Sequence, residues 1–232
     1  MQVENFVFAL FILVASIVVF LNIQTRNFFK FYISRASSPS SSLRVSDELF
    51  HVKVRITLLI RKTWRFCLAL MLIYIATFGV FPGVLVHVKA SATDNALWNE
   101  LFTPVACFLV YNGGDLLGRM LCSHFGFPAK REQLFLGLSI VRLLLTPLLL
   151  LCNIVPRVSY LPVIFRGASF FGSMNAFLAI SNGYLTSVAV VYAPKKIDCF
   201  LQERVGTIMV AVLASGMSLG SVVSLIIVKM FF

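Results

Sequence analysis

The run Phe108-Leu-Val-Tyr-Asn112-Gly-Gly-Asp115-Leu-Leu-Gly118-Arg119 sets an aromatic ring, an amide, an acid and a base 4, 3 and 4 residues apart. At that spacing the four side chains share one face of a helix. The residues around them are apolar, and an Asp or Arg at the centre of a membrane helix costs about 2.5–3.5 kcal/mol. Such a stripe has to face a partner or water. Two kinds of chemistry fit it. Asp115 and Arg119 can form an internal ion pair that locks two helices together. Alternatively the stripe is a polar ligand site, in which acid and amide hydrogen-bond to hydroxyls while the aromatic ring stacks on a second ring.

Other polar residues lie in apolar surroundings. Arg142, in Ile140-Val-Arg142-Leu with Pro147 five positions on, reads either as a counter-charge for an acid on a neighbouring helix or as a ligand contact. Ser173, Asn175, Ser181, Asn182 and Tyr184 are interspersed with Gly167, Gly172 and Gly183. Small residues let membrane helices approach and buried amides bond across the contact, so packing is the expected role for most of them. Asn182-Gly183 also fits a point where a helix flexes. Gly216-x-x-x-Gly220-x-x-x-Ser224 forms a small-residue face suited to close packing.

Enzyme chemistry is not expected. His51, His87 and His124 are dispersed, and no HExxH, P-loop or GxSxG is present. Cys67, Cys107, Cys122, Cys152 and Cys199 are scattered without a CxxC or a Cys/His pair, which argues against a metal site or a disulfide framework. No cofactor is expected.

The elements that must position these residues follow from composition. The 232 residues are 59% hydrophobic and 12% charged, against about half and about a quarter in soluble domains. Apolar runs of roughly 20 residues recur, the length that crosses a bilayer as a helix. The fold class is therefore all-α, a polytopic membrane bundle of about six spanning helices, over residues 6–21, 64–88, 101–123, 133–153, 161–192 and 205–231. Three regions result: one span within 1–23, a basic and Ser-rich loop over 24–63, and a five-helix bundle over 64–232.

Twenty Lys and Arg against nine Asp and Glu give a net charge of +11. The basic residues sit between apolar runs, which fits anionic lipid and the positive-inside bias better than nucleic acid. The 24–63 loop, Lys130-Arg131, and Lys195-Lys196 with Arg204 all fall on one side, expected to be cytoplasmic. Ser37-Ser38-Pro39-Ser40-Ser41-Ser42 is expected to be disordered and open to phosphorylation. Both chain ends then lie outside. Met1 precedes the first span with Glu4 and no basic flank, unlike a signal peptide, so further helices are expected upstream.

These motifs resemble the C-terminal half of the equilibrative nucleoside transporter family. Pro104 to Arg119 is similar to that family's eighth helix, and Arg142-Leu-Leu-Leu-Thr-Pro147 through Pro156-Arg157 to its ninth. Ser181-Asn182-Gly183-Tyr184-Leu185 with Pro194-Lys195-Lys196 resembles the tenth, Phe81-Pro82 with Val88-Lys89 the seventh, and the glycine-rich last span the eleventh. The resemblance implies a major-facilitator-like fold of two bundles rocking about a central site, and carriage of nucleosides, sometimes nucleobases, down their gradient. It implies that Asp115 and Arg119 contact the nucleoside, chiefly at the ribose, that Phe108 and Asn112 line the same cavity, and that Phe81 and Met217 form apolar walls. The plasma membrane is the first expectation, an internal membrane the second.

The family has eleven spans, of which this chain matches the last six. A rocking mechanism needs both bundles, so the partner implied is an N-terminal half or a full-length transporter. A non-transporting regulator of such a partner and a carrier for another polar solute are the alternatives. Gly113-Gly114 stands where the family has bulkier apolar residues, which would widen the cavity or loosen the helix.

Overall fold

The structure is a computed structural model that describes residues 2–30, 56–89, 96–126, 132–155, 163–165 and 167–231. The serine run and Lys130-Arg131 lie outside the described residues. The chain divides into two units, Met1–Arg55 and Ile56–Phe232.

In the first unit, α1 (Gln2–Thr25) has 24 residues. At 1.5 Å per residue it reaches about 36 Å, enough to cross a bilayer core. Between Phe6 and Leu21 its sequence is apolar but for Ser16.

The second unit contains α2 (Ile56–Val80), α3 (Ala96–Phe102), α4 (Val110–Phe125), α5 (Glu132–Arg142), α6 (Leu145–Leu150), α7 (Ala168–Tyr192) and α8 (Gln202–Phe231). Five of its segments are long and apolar enough to cross a membrane: Ile56–His87, Leu97–Phe125, Glu132–Leu150, Ala168–Lys196 and Gln202–Met230. The chain is thus an all-helical, polytopic membrane bundle. Among the described residues the β-type pairings are two isolated bridges, Val88 with Ile154 and Cys152 with Phe165.

The helices begin and break where local chemistry dictates. α2 starts at Ile56, so helix occupies the end of the stretch expected to be loop. α3 and α4 are joined by a π-helical turn, Thr103–Leu109. Pro104 stands at its start; it cannot donate and its ring crowds the preceding turn, so the backbone widens there. α4 stops at Gly126, whose φ of 53° suits glycine. The span expected over 133–153 breaks between α5 and α6, because Pro147 cannot bond back to Leu143. Tighter bonds replace the ladder, Leu143 N to Ile140 O at 2.9 Å and Leu144 N to Val141 O at 3.0 Å. The span expected from 161 begins instead at Ala168. Gly167 is extended before it, and Phe165 pairs with Cys152.

α4 packs along α7 and α8 along α2, while α2 also touches α5 and α7. α2 and α7 are therefore the most buried of the spans. Small residues set the separations. A Cβ on Gly216 would lie 3.0 Å from the Tyr74 Cβ, and one on Gly220 would lie 2.7 Å from the Phe78 Cβ. Ser224, the third member of that face, sits against Gly83. Real Cβ atoms essentially never come as close as the Gly220 contact and seldom as close as the Gly216 one, so the seat of α8 on α2 needs small residues there. At one end of the bundle Glu132 pairs with Lys196 and lies 3.6 Å from Arg65, tying the first half of α2 and the start of α5 to the segment that follows α7.

Candidate functional site

The polar stripe runs from the π turn down one face of α4. Arg119 Nε donates to Asp115 Oδ2 at 2.8 Å, the i,i+4 pair that the spacing allows. Asn112 Nδ2 donates to the Phe108 carbonyl at 2.9 Å, so one of its donors is spent on its own helix. The stripe opens outward: the Arg119 side chain is 47% exposed and that of Asp115 18%, and Phe108 is 40% exposed. Beside it stands an aromatic wall. Phe81 stacks on Tyr111 with centroids 3.8 Å apart, and Phe108 meets Phe81 edge-on at 5.7 Å.

Behind the stripe, Asp115 is held from a second helix. Asn182 Nδ2 of α7 donates to Asp115 Oδ1 at 2.8 Å. The Asn182 oxygen in turn accepts from Thr77 at 3.0 Å and from Arg142 Nη2 at 3.3 Å. Arg142 also donates to Ser181 Oγ at 2.9 Å, to Thr77 Oγ1 at 2.8 Å and to the Leu178 carbonyl at 2.8 Å. It is 3% exposed. Its bonds go to neutral oxygens, and its connection to an acid runs through Asn182 to Asp115. The α5–α6 break places Arg142 at a helix end, where its guanidinium reaches both α2 and α7.

Close backbone approach makes these bonds possible. A Cβ on Gly183 would fall on the Asp115 carbonyl oxygen, and one on Gly118 would collide with the Ile180 carbonyl. On Gly114 it would lie 2.7 Å from the Ala179 Cβ. Gly114, Gly118 and Gly183 are therefore contact glycines between α4 and α7. Gly113, by contrast, has nothing within 4 Å of a Cβ. The π turn is held from the same helix: Asn175 Nδ2 donates to the Ala106 and Cys107 carbonyls at 2.8 and 2.9 Å.

The structure thus joins Phe108, Asn112, Asp115, Arg119 and Phe81 along one edge of α4, with Asn182 and Arg142 wired behind them. Met217 is half-buried on α8, next to Gly216, and α8 lies along α2 rather than α4. Sequence reasoning missed Tyr111 and Thr77. It also missed the Gly114-x-x-x-Gly118 face, whose small-residue period was legible inside the polar motif. Thr77 had no such signal, since it sits 105 residues from Asn182. Among the described residues, no three His, Cys, Asp or Glu side chains cluster so as to hold a metal ion.

Fold and site together define an integral, multi-pass membrane protein with a polar face prepared on one helix. The nucleoside transporter family model matches residues 3–229, and the chain belongs to that family. It is 43% identical to human equilibrative nucleoside transporter 1 over 152 residues, covering 66% of this chain and 33% of the relative. Against rat equilibrative nucleoside transporter 2 it is 36% identical over 172 residues, covering 74% and 38%. Against Arabidopsis thaliana equilibrative nucleotide transporter 1 it is 31% identical over 158 residues, covering 67% and 32%. The chain spans about a third of the length of these curated relatives.

Proposed function

We propose that this chain supplies the C-terminal half of a facilitative nucleoside pathway, with the Asp115–Arg119 face as one wall of the site. The observation that carries it is the Asp115 carboxylate, fixed by Arg119 and Asn182 on the same exposed edge as the Phe108 ring. An ionised carboxylate offers about four acceptor positions, and two are used. The remaining two suit the paired hydroxyls of a ribose, while Phe108 and Phe81 offer ring faces and edges to a base. The names of the relatives point to the same ligand class. Alternating access requires a second bundle facing this one, and nucleobases would engage only the aromatic part of the site. The end of the bundle carrying Arg65, Lys195 and Lys196 faces the cytoplasm, and the plasma membrane is the expected location.

The test is adenosine uptake by transport-deficient cells in which this chain is joined or co-expressed with the N-terminal bundle of a relative. Asp115→Asn keeps the shape and removes the charged acceptor. Hydrogen bonds to charged groups are worth about 1.5–3 kcal/mol, so affinity is expected to fall roughly 10- to 150-fold. Unchanged saturation kinetics would sink the proposal. A second reading, that Asp115 only locks α4 to α7, draws on the 2.8 Å bond from Asn182. It differs in expecting misfolding rather than weak binding.

A further inference from the structure

Arg142 is a guanidinium buried to 3% exposure at the junction of α5 and α6. Such burial is expensive even when every donor is matched, and here Nε has no partner among the described residues. The other donors tie α5 to α2 and α7 through Thr77, Ser181 and the Leu178 carbonyl. Holding helices together accounts for those three bonds. The contact with Asn182 does something further.

A side-chain amide presents either its oxygen or its NH2 to a neighbour, and the two ends are nearly equal in size. The neighbours therefore decide its direction. Thr77 has one proton and two acceptors in reach, the Ile73 carbonyl at 2.8 Å and Asn182 Oδ1 at 3.0 Å, so its hold on the amide is divided. Arg142 carries donors only; its Nη2 bonds to Thr77 Oγ1 and the Leu178 carbonyl at 2.8 Å and holds the same amide oxygen at 3.3 Å by a shared proton and by the positive charge of the guanidinium. A flipped amide would set NH2 against a guanidinium on one side and an oxygen against a carboxylate on the other. With the oxygen held, the NH2 is committed to Asp115 Oδ1 at 2.8 Å. Arg119 holds Oδ2 from the open side.

We propose that Arg142 is a positioning residue for Asp115: from inside the bundle it fixes the Asn182 amide, and the amide fixes the carboxylate that faces the ligand. The ligand arm rests on the nucleoside-site reading above. The relay itself is a property of the chain.

Three variants of the 232-residue chain, joined to the N-terminal bundle of a relative as above, test it. Arg142→Lys keeps the cation but loses the planar fork that reaches several partners at once. Arg142→Gln removes the charge. Asn182→Ala removes the donor to Asp115 and leaves Arg142 its bonds to Ser181, Thr77 and the Leu178 carbonyl, so the helix junction stays held. The ligand-free readout is the infrared carboxylate band of Asp115 in protein carrying labelled aspartate, assigned by its loss in Asp115→Asn. The second readout is binding of radiolabelled adenosine, alongside the thermal unfolding midpoint.

The Asp115 band is expected to shift in both Arg142 variants. Asn182→Ala is expected to fold yet bind adenosine roughly tenfold more weakly, the scale of one charge-assisted hydrogen bond. An unmoved band in the Arg142 variants, or wild-type affinity in Asn182→Ala, overturns the relay and leaves Arg142 as a helix tie. If the Arg142 variants fail to fold, the Asp115 band in Asn182→Ala decides: a shifted band supports the relay and an unmoved one overturns it. Should Asp115→Asn bind adenosine as tightly as the parent chain, the nucleoside-site reading fails, and the infrared band still decides the relay.

Discussion

Gly183 of α7 lies against the Asp115 peptide of α4 with no room for a side chain between them. A Cβ there would fall on the Asp115 carbonyl oxygen and lie 2.9 Å from the Arg119 amide nitrogen. The neighbouring Asn182 sends its short side chain to the Asp115 carboxylate at 2.8 Å. The two facts have one cause. An asparagine reaches across a helix pair only where the backbones nearly touch, and glycine is what lets them touch.

Gly183→Ala and Gly118→Ala are expected to force α4 and α7 apart. Overpacking of this kind costs about 1–3 kcal/mol and should lower the thermal unfolding midpoint of the purified protein. Gly113→Ala is the internal control, since nothing lies within 4 Å of its Cβ. It is expected to be neutral or mildly stabilising, because alanine favours helix by about 1 kcal/mol over glycine. A larger loss at Gly113 than at Gly183 would contradict the packing described.

Arg119→Lys is expected to weaken nucleoside binding although the charge remains. Lysine cannot present the planar fork that holds Asp115 and reaches outward at once. The double exchange of Asp115→Arg with Arg119→Asp separates the site from a bare ion pair within α4. An intrahelical pair tolerates the exchange, whereas a ligand site needs the carboxylate at position 115, as does the bond from Asn182. Uptake normalised to surface protein is the measurement, and normal uptake by the exchanged pair would refute the site.

Asn175 is fully buried and donates to two carbonyls of the π turn. Asn175→Ala removes that donor and leaves a cavity. Each lost hydrogen bond costs about 0.5–1.5 kcal/mol, so the unfolding midpoint should drop. The freed turn carries Phe108, and alkylation of a Phe108→Cys probe is expected to change rate in the Asn175→Ala background. An unchanged rate would show that Asn175 does not hold the turn.

Gly220→Leu is expected to break the seat of α8 on α2, where a Cβ would already stand 2.7 Å from that of Phe78. Loss of folded protein at the cell surface checks it. Normal surface levels would mean that this face tolerates bulk and meets lipid.

The polar stripe was legible in the sequence because its logic is local. Phe108, Asn112, Asp115 and Arg119 lie on one helix at helical spacing, and charge in an apolar run is too costly to be idle. The spans were legible for a similar reason: bilayer thickness imposes a length on any apolar run. The small-residue face of α8 was also visible, since its period is confined to one helix. Tertiary structure alone decided what stands behind the stripe. Thr77, Arg142 and Asn182 come from three helices, Thr77 and Arg142 being 65 positions apart and Arg142 and Asn182 40. Nothing in a one-helix periodicity encodes that meeting. The same limit hid which backbones meet at Gly114, Gly118 and Gly183. In lipid, apolar faces are nearly equivalent, so which face meets which is set by steric fit between backbones rather than by hydrophobicity. Glycines that read as looseness along one chain segment are, once two helices are set side by side, the points of closest contact.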